Sequence, residues 1–176
     1  MSFTRRAATT IAATTLAAAS TFLAPSTAEA SVSLPRCTSA ALRITIGGGS
    51  GGAAGSVFTA VNFVNRSHRT CYLFGHPGVS FVAGDDGHQI GAAARRDKSS
   101  IRVVLRPGAR AHATLRVVDY QVYSRAFCRP VPVRGYRIYA PGETDAVFVS
   151  ARSSACSNVG AHQLSVDAVQ AGPPTD

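Results

Sequence analysis

The feature that most constrains the fold is a period of two in the apolar residues, repeated in short segments between glycine and proline turns. Leu42, Ile44 and Ile46 alternate with Arg43 and Thr45. This alternation turns one set of side chains toward a core and the other toward water, as a half-buried strand requires. Because the pattern recurs and no long helical period interrupts it, it predicts about eight or nine short strands in an antiparallel β-sandwich.

The clearest predicted strands cover residues 101–106 and 110–117, with Pro107 and Gly108 as the turn between them. The pattern leaves two arrangements open. The strands pair directly through an odd loop, which sets Leu105 opposite Ala111, or the chain turns a corner and crosses between two sheets.

The remaining segments follow the same logic of apolar alternation and turn chemistry. We expect 57–64 to be a strand with an inward set of Val57, Thr59, Val61 and Phe63. We expect the six glycines in 47–55 to form a mobile loop. Further strands are predicted at 70–74, 79–82, 88–91, 136–139, 146–149 and 164–169. We expect a polar loop at 92–100, an irregular stretch at 119–132 and one helical turn at 153–158.

The first thirty residues have the pattern of a secretory signal peptide. Arg5 and Arg6 precede an apolar run rich in alanine and threonine, which ends in the cleavage pattern Ala28-Glu29-Ala30. The run is weaker than the roughly 20 strongly apolar residues of a membrane span, and no later segment of the sequence is a candidate span either. We therefore expect cleavage after Ala30, by a Sec or a twin-arginine route, and a single mature domain at 31–176.

Four cysteines lie in the predicted mature domain: Cys37, Cys71, Cys128 and Cys156. An even count in an exported protein indicates two disulfides, and four cysteines allow three pairings. We favour Cys37–Cys71 and Cys128–Cys156, because each pair flanks one contiguous half of the domain. The chain has no CxxC and no paired Cys/His spacing, so we expect no metal and no other cofactor.

Several short motifs occur in an order that points to a known family. They are Cys37, FVN (63–65), TCYLFGHPGVSF (70–81), GHQIG (87–91), LRPGARA (105–111), Cys128, YAPG (139–142) and ACS (155–157). This series resembles the actinobacterial family catalogued as domain of unknown function 4232, over residues 37–169. The resemblance implies an exported or envelope-attached immunoglobulin-like antiparallel β-sandwich with two disulfides. It implies no activity, substrate or catalytic residue. His76 departs from the family, in which an aromatic residue is frequent at that place.

Residues capable of catalysis occur without the arrangement that catalysis needs. Ser50 lies in a G-x-S-x-G match, but glycines and a strand follow it where a nucleophile elbow needs a helix. Asp85 and Asp86 are as compatible with a tight turn as with a catalytic role. The histidines show no metal-ligand spacing and are predicted to be solvated: His68, His76, His88, His112 and His162. We therefore expect no enzyme, with a hydrolase using Ser50 as the remaining catalytic alternative.

The excess of arginine is the strongest surface signal. Removing Arg5, Arg6 and Glu29 leaves 16 basic and 8 acidic side chains in the mature domain. The predicted polyanion-binding residues are Arg95, Arg96, Lys98, Arg102, Arg106, Arg110 and Arg116. We expect Arg102, Arg106, Arg110 and Arg116, together with His112, to point away from the apolar face of their strands. Candidate ligands are an anionic cell-wall polymer, an acidic polysaccharide or an anionic lipid. Nucleic acid is not favoured, because its sequence-tolerant binding needs stacking aromatics, whereas aromatic residues make up 7% of this chain.

These observations predict a secreted, monomeric, all-β protein that acts as an extracellular or cell-wall-associated binding module, with an anionic cell-wall polymer or another secreted protein as its partner. Three alternatives stay open. One is a secreted inhibitor that presents residues 123–132, beside Cys128, to an extracellular enzyme. Another is a purely structural envelope domain. The third is a soluble basic protein whose arginines bind nothing specific.

Overall fold

The structure, a computed structural model, describes residues 33–48 and 51–174. The predicted signal peptide at 1–30 and Ser50 lie outside these residues. Within the described chain, no helix has the length and apolar character needed to cross a bilayer.

The described chain is built from thirteen strands. They are β1 (Leu42–Ile46), β2 (Gly51–Ala53), β3 (Ser56–Asn65), β4 (Cys71–Phe74), β5 (Gly78–Ala83), β6 (His88–Ile90), β7 (Arg95–Asp97), β8 (Arg102–Leu105), β9 (Arg110–Val118), β10 (Pro130–Tyr139), β11 (Ala146–Cys156), β12 (Leu164–Asp167) and β13 (Gln170–Ala171). One short α-helix, α1, covers Arg125–Cys128, and single 3-10 turns cover Ser39–Ala41, Tyr120–Val122 and Val159–Ala161. The predicted all-β class is confirmed.

The strands form three sheets. A seven-stranded sheet, called the large sheet below, has the order β1-β3-β9-β12-β7, with β2 beside β3 and β13 beside β9. A four-stranded sheet has the order β11-β10-β5-β6, and β4 pairs with β8 in a two-stranded sheet. Neighbouring strands are antiparallel except β7 and β12, which run parallel.

One apolar core is shared by all three sheets. The large sheet contributes Phe63 and Leu115, the four-stranded sheet contributes Ile138, and the two-stranded sheet contributes Leu73 and Leu105. Each of these side chains is at most 1% exposed. Burying one such side chain stabilises the folded state by about 1.5–3 kcal/mol, so the shared core holds the sheets together.

The two predicted disulfides are confirmed as Cys37–Cys71 and Cys128–Cys156. The first joins the segment before β1 to the start of β4 and lies in the main core. The second joins α1 to the end of β11 and packs with Ala161 in a small separate cluster. In the chain-entropy model, loops of this size give about 3–4 kcal/mol each.

The strands on either side of Pro107-Gly108 do not pair with each other, so of the two arrangements left open the corner between sheets is the correct one. Leu105 of β8 lies opposite Cys71, whereas Ala111 of β9 lies opposite Phe63. β8 and β9 belong to different sheets, and both turn their apolar side chains toward the shared core. The alternation of apolar residues is therefore compatible with a hairpin and with a corner.

Residues 51–55 of the glycine-rich segment form a strand and a turn instead of the predicted mobile loop. Gly51–Ala53 forms β2 and pairs with the start of β3, because backbone pairing requires no side chain. Ala54 and Gly55 have positive φ angles of 40° and 77°, which the turn between β2 and β3 requires. In β3, Val61 and Phe63 are buried as predicted, but Val57, the second residue of the strand, is 54% exposed.

Two other predictions of local structure are wrong. The expected polar loop at 92–100 contains β7, whose three side chains are all exposed. The helical turn expected at 153–158 is largely the end of β11, and the short helix α1 lies instead in the stretch predicted to be irregular. In each case pairing with a distant strand, or a local cap, decides the conformation rather than an apolar pattern.

Candidate functional site

The outer face of the large sheet, opposite the core, carries the basic residues of β9. Ala111, Ala113 and Leu115 of this strand are buried in the core. The alternate, outward set of β9 is Arg110, His112, Thr114 and Arg116. The predicted orientation of the two arginines therefore agrees with the structure, and both are exposed.

Strand register brings Arg110 near Arg43, an arginine outside the predicted polyanion-binding set. Arg43 of β1 lies opposite Val64 of β3, and Val64 lies opposite Arg110. Residues opposite each other point to the same face, so these two arginines flank β3 with Cα atoms roughly 10 Å apart. We call Arg43 and Arg110 the first arginine pair.

A second pair lies further along the same face. Arg116 lies opposite Ser165 of β12, and Ser165 lies opposite Arg95 of β7. Arg95 and Arg116 thus flank β12 in the same way, and we call them the second arginine pair. Arg110 and Arg116 are six residues apart on β9, so the two pairs are separated by about 20 Å.

Among the described residues, no acidic side chain forms an ion pair with any of these four arginines. Asp167 is 9% exposed and pairs with Lys98, whose Nζ lies 2.6 Å from Asp167 Oδ2. Asp97 lies opposite Asp167 on the edge strand. The ion pairs within 33–48 and 51–174 are His88–Asp86, Lys98–Asp167 and Arg134–Asp85, and none of them includes an arginine of either pair. The outer face is therefore net basic.

The C-terminal segment limits access to part of this face. The carbonyl oxygen of Gly172 lies 3.1 Å from Nδ1 of His112, which must donate because a carbonyl only accepts. His112 is consequently 8% exposed and is not the solvated histidine that the sequence predicted. Beside it, a cavity of about 280 Å³ lies between the first arginine pair, Asn62 and the prolines at 173–174.

The other predicted basic residues lie elsewhere. Arg96 lies opposite Val166, so it points to the other side of β7 from Arg95. The guanidinium of Arg102 lies 4.2 Å from the centre of the Tyr72 ring, on the two-stranded sheet. Arg106 is exposed in the turn after β8. The seven predicted residues therefore do not form one surface.

The acidic turn residues have structural partners. Asp86 Oδ1 lies 2.8 Å from Nδ1 of His88, and this side-chain hydrogen bond lowers the pKa of Asp86 from its ordinary value. Asp85 Oδ1 accepts from Arg134 at 2.9 Å. In the part of the chain that the structure describes, no three His, Cys, Asp or Glu side chains are grouped as metal ligands.

The segment considered as an inhibitor loop is folded onto the domain. Ser124 caps α1 by accepting from the backbone N–H of Phe127 at 3.3 Å. The hydroxyl of Tyr123 donates to the carbonyl of Ala161 at 2.5 Å. Residues 125–128 are therefore helical rather than extended, and Cys128 anchors them through its disulfide.

The fold and site together define an all-β domain with two disulfides and a basic outer sheet face. The sequence profile of the family described as Domain of unknown function (DUF4232) matches residues 37–170. The chain belongs to this family. Neither the curated proteins nor the solved structures contain a significant match to it.

Proposed function

We propose that the protein is a secreted, non-catalytic domain of immunoglobulin-like sandwich architecture that binds an anionic cell-wall polymer through the outer face of the large sheet. The observation that carries this proposal is the placement of two arginine pairs in parallel rows on one sheet face. The pairing of all four cysteines supports export, because disulfides persist in oxidising compartments.

The spacing of the pairs favours a repeating ligand over a single small anion. The Cα atoms within one pair are roughly 10 Å apart across one strand, whereas the two pairs are about 20 Å apart along β9. An extended chain with regularly placed carboxylates or phosphates contacts both pairs at once. Arginine suits this role because its planar fork binds either group with two parallel hydrogen bonds.

The strength of such binding depends on the number of contacts. An exposed ion pair contributes about 0–1 kcal/mol and is screened by salt. Single contacts are therefore weak, and retention relies on several arginines engaging one polymer, which raises the effective concentration for each later contact. We expect fast exchange and strong dependence on ionic strength.

The test is retention of the mature domain on immobilised poly(glycerol phosphate), a phosphate polymer that contains no uronate, with neutral dextran as the comparison matrix. We expect retention at about 50 mM NaCl that is lost by about 500 mM, because screening shortens the reach of exposed charges. Dextran should retain none of the protein.

A matched pair of variants locates the binding face. The double variant R110Q/R116Q removes two charges from the outer face, and R125Q/R152Q removes two exposed charges from α1 and β11. We expect the first variant to be retained about fivefold less and the second to resemble the wild type. Equal losses in both variants, or retention that high salt leaves unchanged, would overturn the proposal.

A further inference from the structure

A second cavity, separate from the outer face, lies where the three sheets come together. Its volume is about 360 Å³, which is within the range of small-molecule sites. Its chemically distinctive lining residues are Arg36, Phe74, His76, Arg96, Tyr139 and Glu143. They come from the segment before β1, the end of β4, the turn before β5, the strand β7, the end of β10 and the turn that follows it.

Two arginines line this cavity, and the side chain of one of them is held in place by packing. Arg36 lies with its guanidinium carbon 5.5 Å from the centre of the Tyr72 ring. It also lies against the turn at Gly142, where an added Cβ would be 2.5 Å from Arg36 Nη1. Gly142 has a φ of 79° and lacks a side chain, so the turn leaves room for the guanidinium. Neither Arg36 nor Arg96 forms an ion pair with a described residue.

His76 presents a hydrogen-bond acceptor. Its Nε2 lies 2.6 Å from the carbonyl oxygen of Asp97 and 3.0 Å from that of Lys98. Because both partners only accept, Nε2 carries the proton, and Nδ1 is the ring nitrogen left to accept a hydrogen bond. The same hydrogen bonds fix the end of β7 and thereby position Arg96.

The remaining lining residues provide a second acceptor and an apolar surface. Glu143 accepts from the backbone N–H of Ser39 through Oε2 at 3.2 Å, which leaves Oε1 without a partner in the described chain. The ring of Phe74 is 45% exposed at the edge of the cavity. An exposed aromatic face beside hydrogen-bonding groups suits a ring that is apolar on one face and polar at its rim.

The net charge of the lining residues indicates the charge of the ligand. Arg36 and Arg96 together with Glu143 leave one net positive charge at neutral pH. A carboxylate carries one negative charge and matches this balance, whereas a phosphate monoester carries about 1.5 to 2. We propose that this cavity binds an acidic monosaccharide of the hexuronate class. Its carboxylate is held by Arg36 and Arg96, its apolar ring face packs on Phe74, and its hydroxyls donate to His76 and Glu143.

The experiment is titration of the ¹⁵N-labelled mature domain with D-glucuronate, followed by amide chemical shifts. We expect saturable shifts at residues 74–78, 95–98 and 139–143, and none with D-glucose, which lacks the carboxylate. The monomer tests this site alone, because the proposed outer-face binding depends on a polymer. Polymer retention of R110Q/R116Q therefore tests the outer face, and glucuronate binding by R96Q tests the cavity. Either proposal can fail without the other.

Two substitutions and a competing anion test whether the cavity is the binding site for D-glucuronate. Arg96→Gln should raise the Kd for D-glucuronate about tenfold, since a charge-assisted hydrogen bond contributes about 1.5–3 kcal/mol. Arg106→Gln, an exposed arginine in the turn after β8, should leave that Kd unchanged. Equal effects of the two substitutions, tighter binding of D-glucose 6-phosphate, or no saturable shift with D-glucuronate would each overturn the proposal.

Discussion

Nε2 of His76 donates a hydrogen bond to the carbonyl oxygen of Asp97, 2.6 Å away. This contact joins the turn between β4 and β5 to the end of β7. The strand β7 has three exposed side chains and pairs with β12 at one edge, so it lacks apolar anchoring of its own. His76 therefore holds the end of β7 against the turn before β5 and is not a solvated turn histidine.

The first prediction concerns this contact. His76→Ala should increase hydrogen exchange at the amides of residues 95–97 by about two- to tenfold, because the strand loses a hydrogen bond that contributes about 0.5–1.5 kcal/mol. Native-state exchange followed by NMR measures the effect. His68→Ala is the control, since His68 is exposed and its ring forms no hydrogen bond with a described residue. If both variants keep wild-type protection in β7, the contact does not hold the strand.

The second prediction concerns Asn65, which is 1% exposed. Its Nδ2 donates to the carbonyl oxygens of Arg69 and Leu105, at 2.8 Å and 2.9 Å, and its Oδ1 accepts from Ser67. Asn65→Ala removes these bonds and leaves the carbonyl of Leu105 without this buried partner. We expect a loss of about 2–4 kcal/mol in the free energy of unfolding, because each unsatisfied buried group costs about 1–3 kcal/mol.

Urea unfolding at constant m-value measures this loss. Asn62→Ala is the matched control. Asn62 is only half-buried, and its main hydrogen bond, to the carbonyl oxygen of Gly47 at 2.7 Å, is exposed. We expect the control to lose less than about 1 kcal/mol. Similar losses in the two variants would show that the buried network of Asn65 does not stabilise the turn after β3.

The third prediction concerns a glycine inside β10. The register of β10 against β11 shifts between Val133 and Gly135, which marks a β-bulge. A Cβ at Gly135 would overlap the carbonyl oxygen of Val149 and lie 2.8 Å from the backbone nitrogen of Ala151. Gly135→Ala should therefore destabilise the domain by more than about 3 kcal/mol, because backbone atoms of the neighbouring strand would have to move.

Gly87→Ala is the control for this substitution. Gly87 has a φ of 65°, but an added Cβ there meets no atom within 4 Å. We expect a cost of about 1 kcal/mol from the left-handed conformation alone. Thermal unfolding of both variants separates steric overlap from backbone strain. A Gly135 variant as stable as the Gly87 variant would mean that the bulge adapts.

Local sequence patterns predicted which side chains of β9 face the core, since alternation encodes burial directly. They did not predict β7, because its exposed residues 95–97 become a strand only by pairing with residues 165–167, about seventy positions later. The nearness of Arg43 to Arg110 likewise depends on the register of both strands against β3. His112 was correctly placed on the outer face, but its burial depends on Gly172 of a distant segment. Pairing between distant segments is the information that a local pattern lacks.

The last prediction concerns the response to alkaline pH. Tyr136 packs against Phe81 with ring centres 5.0 Å apart, and burial raises the pKa of its hydroxyl to about 12. The ordinary tyrosine value is about 10, so the folded state disfavours the ionised form. Stability from this group is complete below about pH 10 and falls as the pH rises toward 12, where the unfolded chain has already lost the proton. The total loss should be about 2–3 kcal/mol.

Urea unfolding at several pH values between about 9 and 11.5 measures this slope. Tyr136→Phe should flatten it, because phenylalanine does not titrate and keeps the ring contact with Phe81. Tyr139→Phe is the matched control on the same strand and should keep the wild-type slope. If Tyr136→Phe loses stability with pH as steeply as the wild type, another group governs the alkaline response, and the ring of Tyr136 contributes through packing alone.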